Sequence, residues 1–175
     1  MAEVLIRIDP VPMAAFSFAG GTMALVPAAR RYSLRGTASG LQAFVPVKLP
    51  TKIGDVSDTS DGLAVMLGPD EWLLIGGVAG DSAGHPVSIT EITERQIGLA
   101  IEGPRAAELL MSGCPLDLER MAATRGTRTI YETVEIVVIK RSDTRFHVEV
   151  WRSFAPWLWA ALASAAQPAL PPAKA

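Results

Sequence analysis

Short apolar segments closed by turn residues dominate the middle of this chain, and they restrict it to a fold built on sheets. The clearest example is residues 64–67 and 72–75, two apolar runs separated by Gly-Pro-Asp-Glu at 68–71. Proline presets the backbone for a turn at this point, and Asp70 can cap it. The pattern therefore predicts a β-hairpin.

Further strands are predicted on both sides of this hairpin. Residues 31–35 form a short strand, and residues 88–93 and 97–101 form a strand pair connected by 94–96. Residues 127–140 are predicted to be a long strand region, and its apolar stretch at 136–139 indicates a central position buried on both faces. Residues 145–151 alternate: one face carries Phe146, Val148 and Val150, and the face toward solvent or a partner carries Arg145, His147, Glu149 and Trp151.

Two helices are predicted, and both follow strands. The first has Pro104 at its first position and ends at Gly113 in the left-handed conformation. The second has Ser153 as its N-cap, and its apolar stripe runs from Phe154 to Ala165 with Trp159 off the stripe. These elements define an α+β domain, an antiparallel-rich sheet with helices packed on it.

The two ends of the chain differ in composition from the middle. Residues 1–29 carry repeated prolines and glycines and are predicted to be an extended arm that resists regular structure, apart from a short strand over 4–8. Residues 167–175 read as a disordered tail. The domain is therefore assigned to residues 30–166.

The charge content is low for a domain of 175 residues, with 49% apolar and only 19% charged residues. Soluble domains carry about 25% charged residues. Either a partner covers a large apolar face, or apolar-leaning disordered ends account for the difference. A net charge of −2 without basic clusters argues against nucleic-acid binding. The apolar stretches are too interrupted for a signal sequence or a membrane helix, and the single cysteine suits a cytoplasmic protein.

The chemical inventory favours a scaffold over an enzyme. The only histidines are His85, in a loop-like segment, and His147, and neither has a second ligand at metal spacing. Cys114 follows a helix end, where the helix dipole disfavours a thiolate, so a buried packing role is expected. Adjacent Asp70 and Glu71 point to opposite sides of an extended segment and cannot easily converge on one substrate atom. Phosphate-loop and dinucleotide fingerprints are absent. No catalytic, cofactor-binding or metal residue is assigned.

Three segments in order resemble the gamma subunit of heterotetrameric sarcosine oxidase. They are Leu-Gly-Pro-Asp-Glu-Trp-Leu-Leu at 67–74, Gly-Cys-Pro-Leu-Asp-Leu at 113–118, and Arg-Ser-Phe-Ala at 152–155 followed by Leu-Trp at 158–159. The segment Gly-Pro-Arg-Ala-Ala-Glu-Leu-Leu at 103–110 lies in the expected place before the second. The resemblance covers roughly residues 30–166. It implies a non-catalytic subunit that packs against alpha and beta (and delta) subunits, which handle FAD, FMN, NAD and tetrahydrofolate in that family.

Residues 88–110 also resemble the folate-binding aminomethyltransferase of the glycine cleavage system, which implies that its fold is shared. That family has an acidic pair before the strand at 64–67, whereas this chain has only Asp61 there. Folate chemistry therefore does not carry over to these residues. The segment between Ile75 and Val87 is also shorter than in the gamma-subunit family, which fits a sister complex such as N-methylglutamate dehydrogenase.

Two functions from different classes follow. The first is a non-catalytic gamma-type subunit of a complex that oxidatively demethylates an N-methyl amine, sarcosine above all. Aromatic residues and arginine concentrate in interface cores, so the residues expected to contact a partner are Asp70, Glu71, Trp72, Trp151 and Arg152. For Trp72 a core position is the alternative. The second function is an autonomous folate-binding protein of one-carbon transfer.

Overall fold

A computed structural model describes residues 9–167 of the chain, and its elements form two antiparallel sheets with helices on the outside. The strands are β1 (Phe16–Phe18), β2 (Gly21–Leu25), β3 (Arg31–Arg35), β4 (Val56–Thr59), β5 (Gly62–Gly68), β6 (Glu71–Ile75), β7 (Ser88–Glu91), β8 (Gln96–Glu102), β9 (Arg125–Tyr131), β10 (Val134–Ser142) and β11 (Arg145–Trp151). The helices are α1 (Ala38–Leu41), α2 (Ala106–Met111) and α3 (Ala155–Ala165), with a 3₁₀ turn at Gln42–Phe44.

The two sheets pack face to face. One has six strands in the order β1-β2-β8-β11-β10-β9, and the other has five in the order β4-β5-β6-β3-β7. Within each sheet, every strand pairing of the described residues is antiparallel. The predicted α+β class is confirmed. The strands at 31–35 and 145–151 and the hairpin of β5 and β6 are confirmed as well.

Three apolar clusters hold the layers together, and β10 contributes to two of them. Ile136 and Val138 point to the cluster under α2 and α3, whereas Val137 and Ile139 point to the cluster between the sheets. The predicted burial of this stretch on both faces is therefore confirmed. A third cluster covers the outer face of the five-stranded sheet with α1 and the chain that follows it.

The long strand region predicted at 127–140 is present, and the turn at Glu132, which has a φ of 50°, divides it into β9 and β10. The pairing predicted between residues 88–93 and 97–101 is wrong, because the partners of these strands lie elsewhere in the sequence. The strands predicted at 88–93 and 97–101 exist but do not pair, since β7 pairs with β3 and β8 pairs with β2 and β11.

The predicted extended arm is wrong for residues 16–25. They form the hairpin of β1 and β2, and β2 pairs with β8, which buries Met23 in the core under the helices. Gly20, with a φ of 89°, forms the turn of this hairpin with Ala19, and Gly21 is the first residue of β2. The strand predicted at 4–8 lies outside the described residues, as does the predicted tail beyond Gln167.

Both helices differ from prediction at their ends, and α3 differs in its phase as well. Pro104 lies before α2 and not at its first position. Gly113 does not adopt the left-handed conformation. A glycine is needed there because the ring of Tyr131 packs directly on it. Phe154, not Ser153, is the N-cap of α3. The buried residues of α3 are Ala155, Leu158, Trp159 and Leu162, whereas Phe154 and Trp157 are exposed. The helical period is as expected, but apolar residues all around the helix left its phase undetermined.

Gly113→Ala should destabilise the fold, because a Cβ would lie 2.7 Å from the ring carbons of Tyr131. Overpacking of this kind costs about 1–3 kcal/mol. The matched control is Gly80→Ala, whose Cβ would meet only Phe44 atoms at an ordinary 3.6 Å. Urea denaturation followed by tryptophan fluorescence measures both. Equal stability of the two variants would contradict the packing assigned to Gly113.

Candidate functional site

The residues predicted to contact a partner lie close to one another at one end of the two sheets. Asp70 is exposed in the turn between β5 and β6, and Glu71 is buried beside it. Trp72 is only 1% exposed, and its Nε1 donates a hydrogen bond to the carbonyl oxygen of Pro50 at 2.8 Å. Trp72 is therefore a core residue, which is the alternative that the sequence left open. Trp151 and Arg152 are partly exposed where β11 leads to α3.

Glu71 and Trp151 line a single cleft together with Arg35, Arg95 and Arg128. Arg128, on the six-stranded sheet, donates from Nη1 and Nη2 to the two carboxylate oxygens of Glu71 at 3.0 and 2.5 Å. Arg35 adds a contact of 3.1 Å to the same carboxylate. The fork geometry of arginine suits this two-point contact. The cleft is therefore closed at its base by ion pairs that join the two sheets.

The carboxylate of Glu71 is held in its charged form. Hydrogen bonding from Arg128 lowers the pKa of Glu71 below its ordinary value, and this effect outweighs the opposing effect of burial. Arg128 also lies 3.6 Å from Glu135, so its charge is shared between two carboxylates. The cleft offers little uncompensated charge to a ligand.

The other wall of the cleft is aromatic. The guanidinium of Arg95 stacks 4.0 Å from the centroid of the Trp151 ring. The Trp151 ring in turn lies 6.2 Å from the ring of Phe154, the residue that precedes α3. Further along α3, the ring of Trp157 makes an edge contact with that of Tyr131, with centroids 6.4 Å apart. The backbone N–H of Arg152 donates to the carbonyl of Arg95 at 2.7 Å, which fixes the start of α3 against β8. Apolar side chains surrounded by charged ones are the composition of a protein–protein interface.

A second cluster of charged residues lies between the sheets, a position that the alternation along β11 did not predict. Glu149 was expected on a face toward solvent or a partner, but that face of β11 is turned toward the five-stranded sheet. Arg31 of β3 donates to Glu149 from Nε at 2.6 Å and from Nη2 at 3.0 Å. His147 Nε2 lies 2.7 Å from the same carboxylate. Both Arg31 and Glu149 are almost fully buried.

Glu149 remains ionised in this buried position. Burial raises the pKa of Glu149, whereas hydrogen bonds from His147 and Arg31 lower it. These two contacts have the larger combined effect, so the pKa lies below its ordinary value. An ionised carboxylate accepts the hydrogen bond, so Nε2 of His147 carries the proton. The arrangement resembles the pairs in which a carboxylate fixes the tautomer of a histidine. His147 also borders an open cleft rimmed by the ion pairs Arg145–Glu102 and Arg141–Asp58.

One signal in the sequence marks this cluster. Gly98 interrupts the apolar strand β8, and an interior strand glycine often marks a close approach. A Cβ at this position would lie 2.8 Å from Glu149 Oε1 and 2.9 Å from His147 Cε1. The signal indicates that something approaches Gly98 but does not identify what.

The remaining candidate groups, Cys114 and His85, are packed against other side chains. Cys114 is buried as expected, with its sulfur 3.9 Å from the hydroxyl of Thr129. His85 packs edge-on against Phe44 with ring centroids 4.9 Å apart. Among residues 9–167 no group of His, Cys, Asp and Glu side chains is placed to hold a metal ion. Within the same residues, no helix has the length and apolar character that a bilayer crossing demands.

Comparison with known proteins confirms the resemblance. The chain is 28% identical to sarcosine oxidase subunit gamma from an Arthrobacter species, over 63% of this chain and 60% of that one. It is also 28% identical to the subunit of the same name from Corynebacterium sp. strain U-96, over 66% of this chain and 62% of that one. The chain thus spans about three fifths of the length of these curated relatives. No family model matches it.

Solved structures share the fold. A chain of heterotetrameric sarcosine oxidase from Corynebacterium sp. U-96 superposes with a TM-score of 0.71 at 23% identity, covering 86% of this chain and 88% of that one. The glycine cleavage system aminomethyltransferase T from Bartonella henselae gives a TM-score of 0.62 at 14% identity, covering 83% of this chain and 46% of that one. The fold expected from both resemblances is confirmed.

Glu149→Gln should unfold the protein more readily, because the charge of Arg31 would remain buried without its counterion. Breaking a buried pair in this way costs about 3–5 kcal/mol. Glu135→Gln is the control, since Glu135 is half exposed and pairs only loosely with Arg128, where ion pairs contribute about 0–1 kcal/mol. Denaturant midpoints measure both variants. If Glu149→Gln lost no more stability than Glu135→Gln, the stabilising role assigned to the buried Arg31–Glu149 pair would be refuted.

The contribution of Glu71 to stability should depend on pH in the acid range. Its pKa is lowered by folding, so the stabilisation is complete above the ordinary glutamate value of 4.5 and is lost as the pH falls through the folded-state pKa. The difference in unfolding free energy between the unmodified chain and Glu71→Gln should therefore be constant near neutrality and shrink below pH 4.5. A difference that does not vary with pH would contradict the assignment.

Proposed function

We propose that this chain is a non-catalytic, gamma-type subunit of a heterotetrameric flavoenzyme complex that oxidatively demethylates an N-methyl amine, with sarcosine as the first candidate. The observation that carries the proposal is the agreement in fold over 86% of this chain and 88% of a chain of heterotetrameric sarcosine oxidase. Identity to two proteins named sarcosine oxidase subunit gamma supports it.

The described surface fits a subunit better than a free-standing protein. The cleft of Glu71 and Trp151 has an aromatic wall, and its ion pairs are satisfied within the chain. Phe154 and Trp157 of α3 remain exposed, and the ring of Phe154 lies 6.2 Å from that of Trp151 in the cleft. Exposed clusters of this type mark interaction sites. Asp70, Glu71, Trp151 and Arg152 border this surface and remain the proposed partner contacts.

The rest of the complex is part of the same proposal. The partners are alpha, beta and delta subunits, and these chains hold the FAD, FMN, NAD and tetrahydrofolate of the assembly. This chain contributes packing surface and no catalytic group, and the complex works in the cytoplasm. A buried, unpaired Cys114 agrees with a reducing compartment.

Co-expression of the tagged chain with its genomic neighbours should yield a yellow complex. We expect larger chains in constant ratio to this one, a flavin absorbance spectrum, and bleaching of that spectrum by sarcosine under anaerobic conditions. Glycine, which lacks the N-methyl group, is the matched control and should leave the spectrum unchanged.

Other outcomes separate the alternatives. Bleaching by N-methylglutamate in place of sarcosine would identify a sister complex. Recovery of the chain alone and colourless would overturn the subunit proposal. Tetrahydrofolate binding by that isolated chain would then favour the autonomous folate-binding alternative, which rests on the likeness to aminomethyltransferase T.

A further inference from the structure

The strand β9 is an edge of the six-stranded sheet, with β10 on one side only. The backbone N–H of Gly126 donates to the carbonyl of Gly54 at 2.8 Å, so the backbone of Gly126 points away from β10. Backbone groups alternate in direction along an antiparallel strand. The N–H and carbonyl groups of Arg128 and Ile130 therefore also point outward, whereas those of Thr127 and Thr129 bond to β10.

The outward edge is closed at both ends and open between them. Gly54 covers it at Gly126, and the carbonyl of Gly113 accepts from the N–H of Glu132 at 2.7 Å. Between these points, the hydrogen bonds of the described residues include none from the N–H groups of Arg128 and Ile130. The carbonyl of Arg128 receives only the neighbouring hydroxyl of Thr127 at 3.2 Å. Free backbone groups on a sheet edge are a template for another strand.

Apolar side chains flank this open edge. Ile130 is 44% exposed on the open stretch itself, and Ile53 and Leu116, at 52% and 37%, wall a groove beside Gly126 and Thr127, where the open stretch begins. The nearby arginines are already neutralised, Arg125 by Asp55 and Arg128 by Glu71. A segment that pairs here needs apolar side chains and no charge of its own.

We propose that the edge of β9 receives a short, uncharged, apolar extended segment of a partner subunit as an added β-strand. This proposal rests on the proposed function, because it supplies the partner. A short segment fits this edge better than a second copy of the chain, since the edge is free only between the bonds of Gly126 to Gly54 and of Glu132 to Gly113, and the β9 strand of a second copy carries the same two bonds. Strand addition obtains affinity from main-chain hydrogen bonds and specificity from alternate side chains.

The variant Ile130→Pro tests the edge in the co-expressed complex. Proline removes the outward N–H without removing a bond to β10, a position where edge strands tolerate proline. Ile130→Ala is the matched control, because it also loses the large side chain but keeps the N–H. We expect assembly to weaken about tenfold more for proline than for alanine. Thermal unfolding of each isolated variant verifies that both are folded.

Hydrogen exchange gives a second measurement that needs no variant. On assembly, the amides of Arg128 and Ile130 should become protected, while those of Thr127 and Thr129 are protected in the free and the bound chain alike. Unchanged exchange at 128 and 130 within an intact complex would overturn strand addition and leave the subunit proposal standing. If the amides of Arg128 and Ile130 became protected in the isolated chain as its concentration rose, the occupant would be a second copy of this chain, and the proposal of a partner strand would be overturned too. Failure of the unmodified chain to assemble would remove both proposals.

Discussion

The buried ion pair of Arg31 and Glu149 is the contact on which the arrangement of the two sheets depends. Apolar side chains fill the rest of the layer between them, and such contacts have no preferred direction. A two-point hydrogen bond between a guanidinium and a carboxylate has a fixed geometry. Because Arg31 is on β3 and Glu149 on β11, this pair allows one registration of the sheets and makes others costly, since any shift leaves two buried charges apart.

Further ion pairs join the two sheets around their edges. Glu71 joins Arg128 at one end, Asp55 joins Arg125 beside β9, and Asp58 joins Arg141 near the open cleft of His147. In these three, the acid comes from the side of the five-stranded sheet and the arginine from the six-stranded one, whereas the buried pair has the opposite polarity. The arginines of these three pairs remain 37–40% exposed, whereas both side chains of the Arg31–Glu149 pair are buried between the sheets. The chain has only 19% charged residues, and its surface also carries exposed apolar side chains at Ile53, Ile130 and Trp157.

Local chemistry made part of this fold predictable from the sequence. The hairpin at 68–71 follows from its turn residues, and burial of 136–139 follows from a continuous apolar run. The failures concern facts that no local pattern contains. Strand β2 pairs with β8, far along the chain, and Trp159 is buried because the sheet lies on its side of an all-round apolar helix. Glu149 was assigned to an outer face because alternation distinguishes two faces of a strand but not which of them a second sheet covers.

The three segments that carry the resemblance to the gamma subunit are distant in sequence but converge on β9. The first contains Glu71, which binds Arg128; the second begins at Gly113, which contacts the ring of Tyr131 and accepts from Glu132. The third leads into α3, whose Trp157 meets the same tyrosine ring. Each segment also supplies core residues: Trp72 in the first, Cys114 and Leu118 in the second, and Ala155, Leu158 and Trp159 in the third. Packing of the core residues of the second and third segments in one cluster with Tyr131, together with the Glu71–Arg128 ion pair, therefore fixes the backbone of β9, and the proposed strand pairing depends on that backbone position more than on any single side chain.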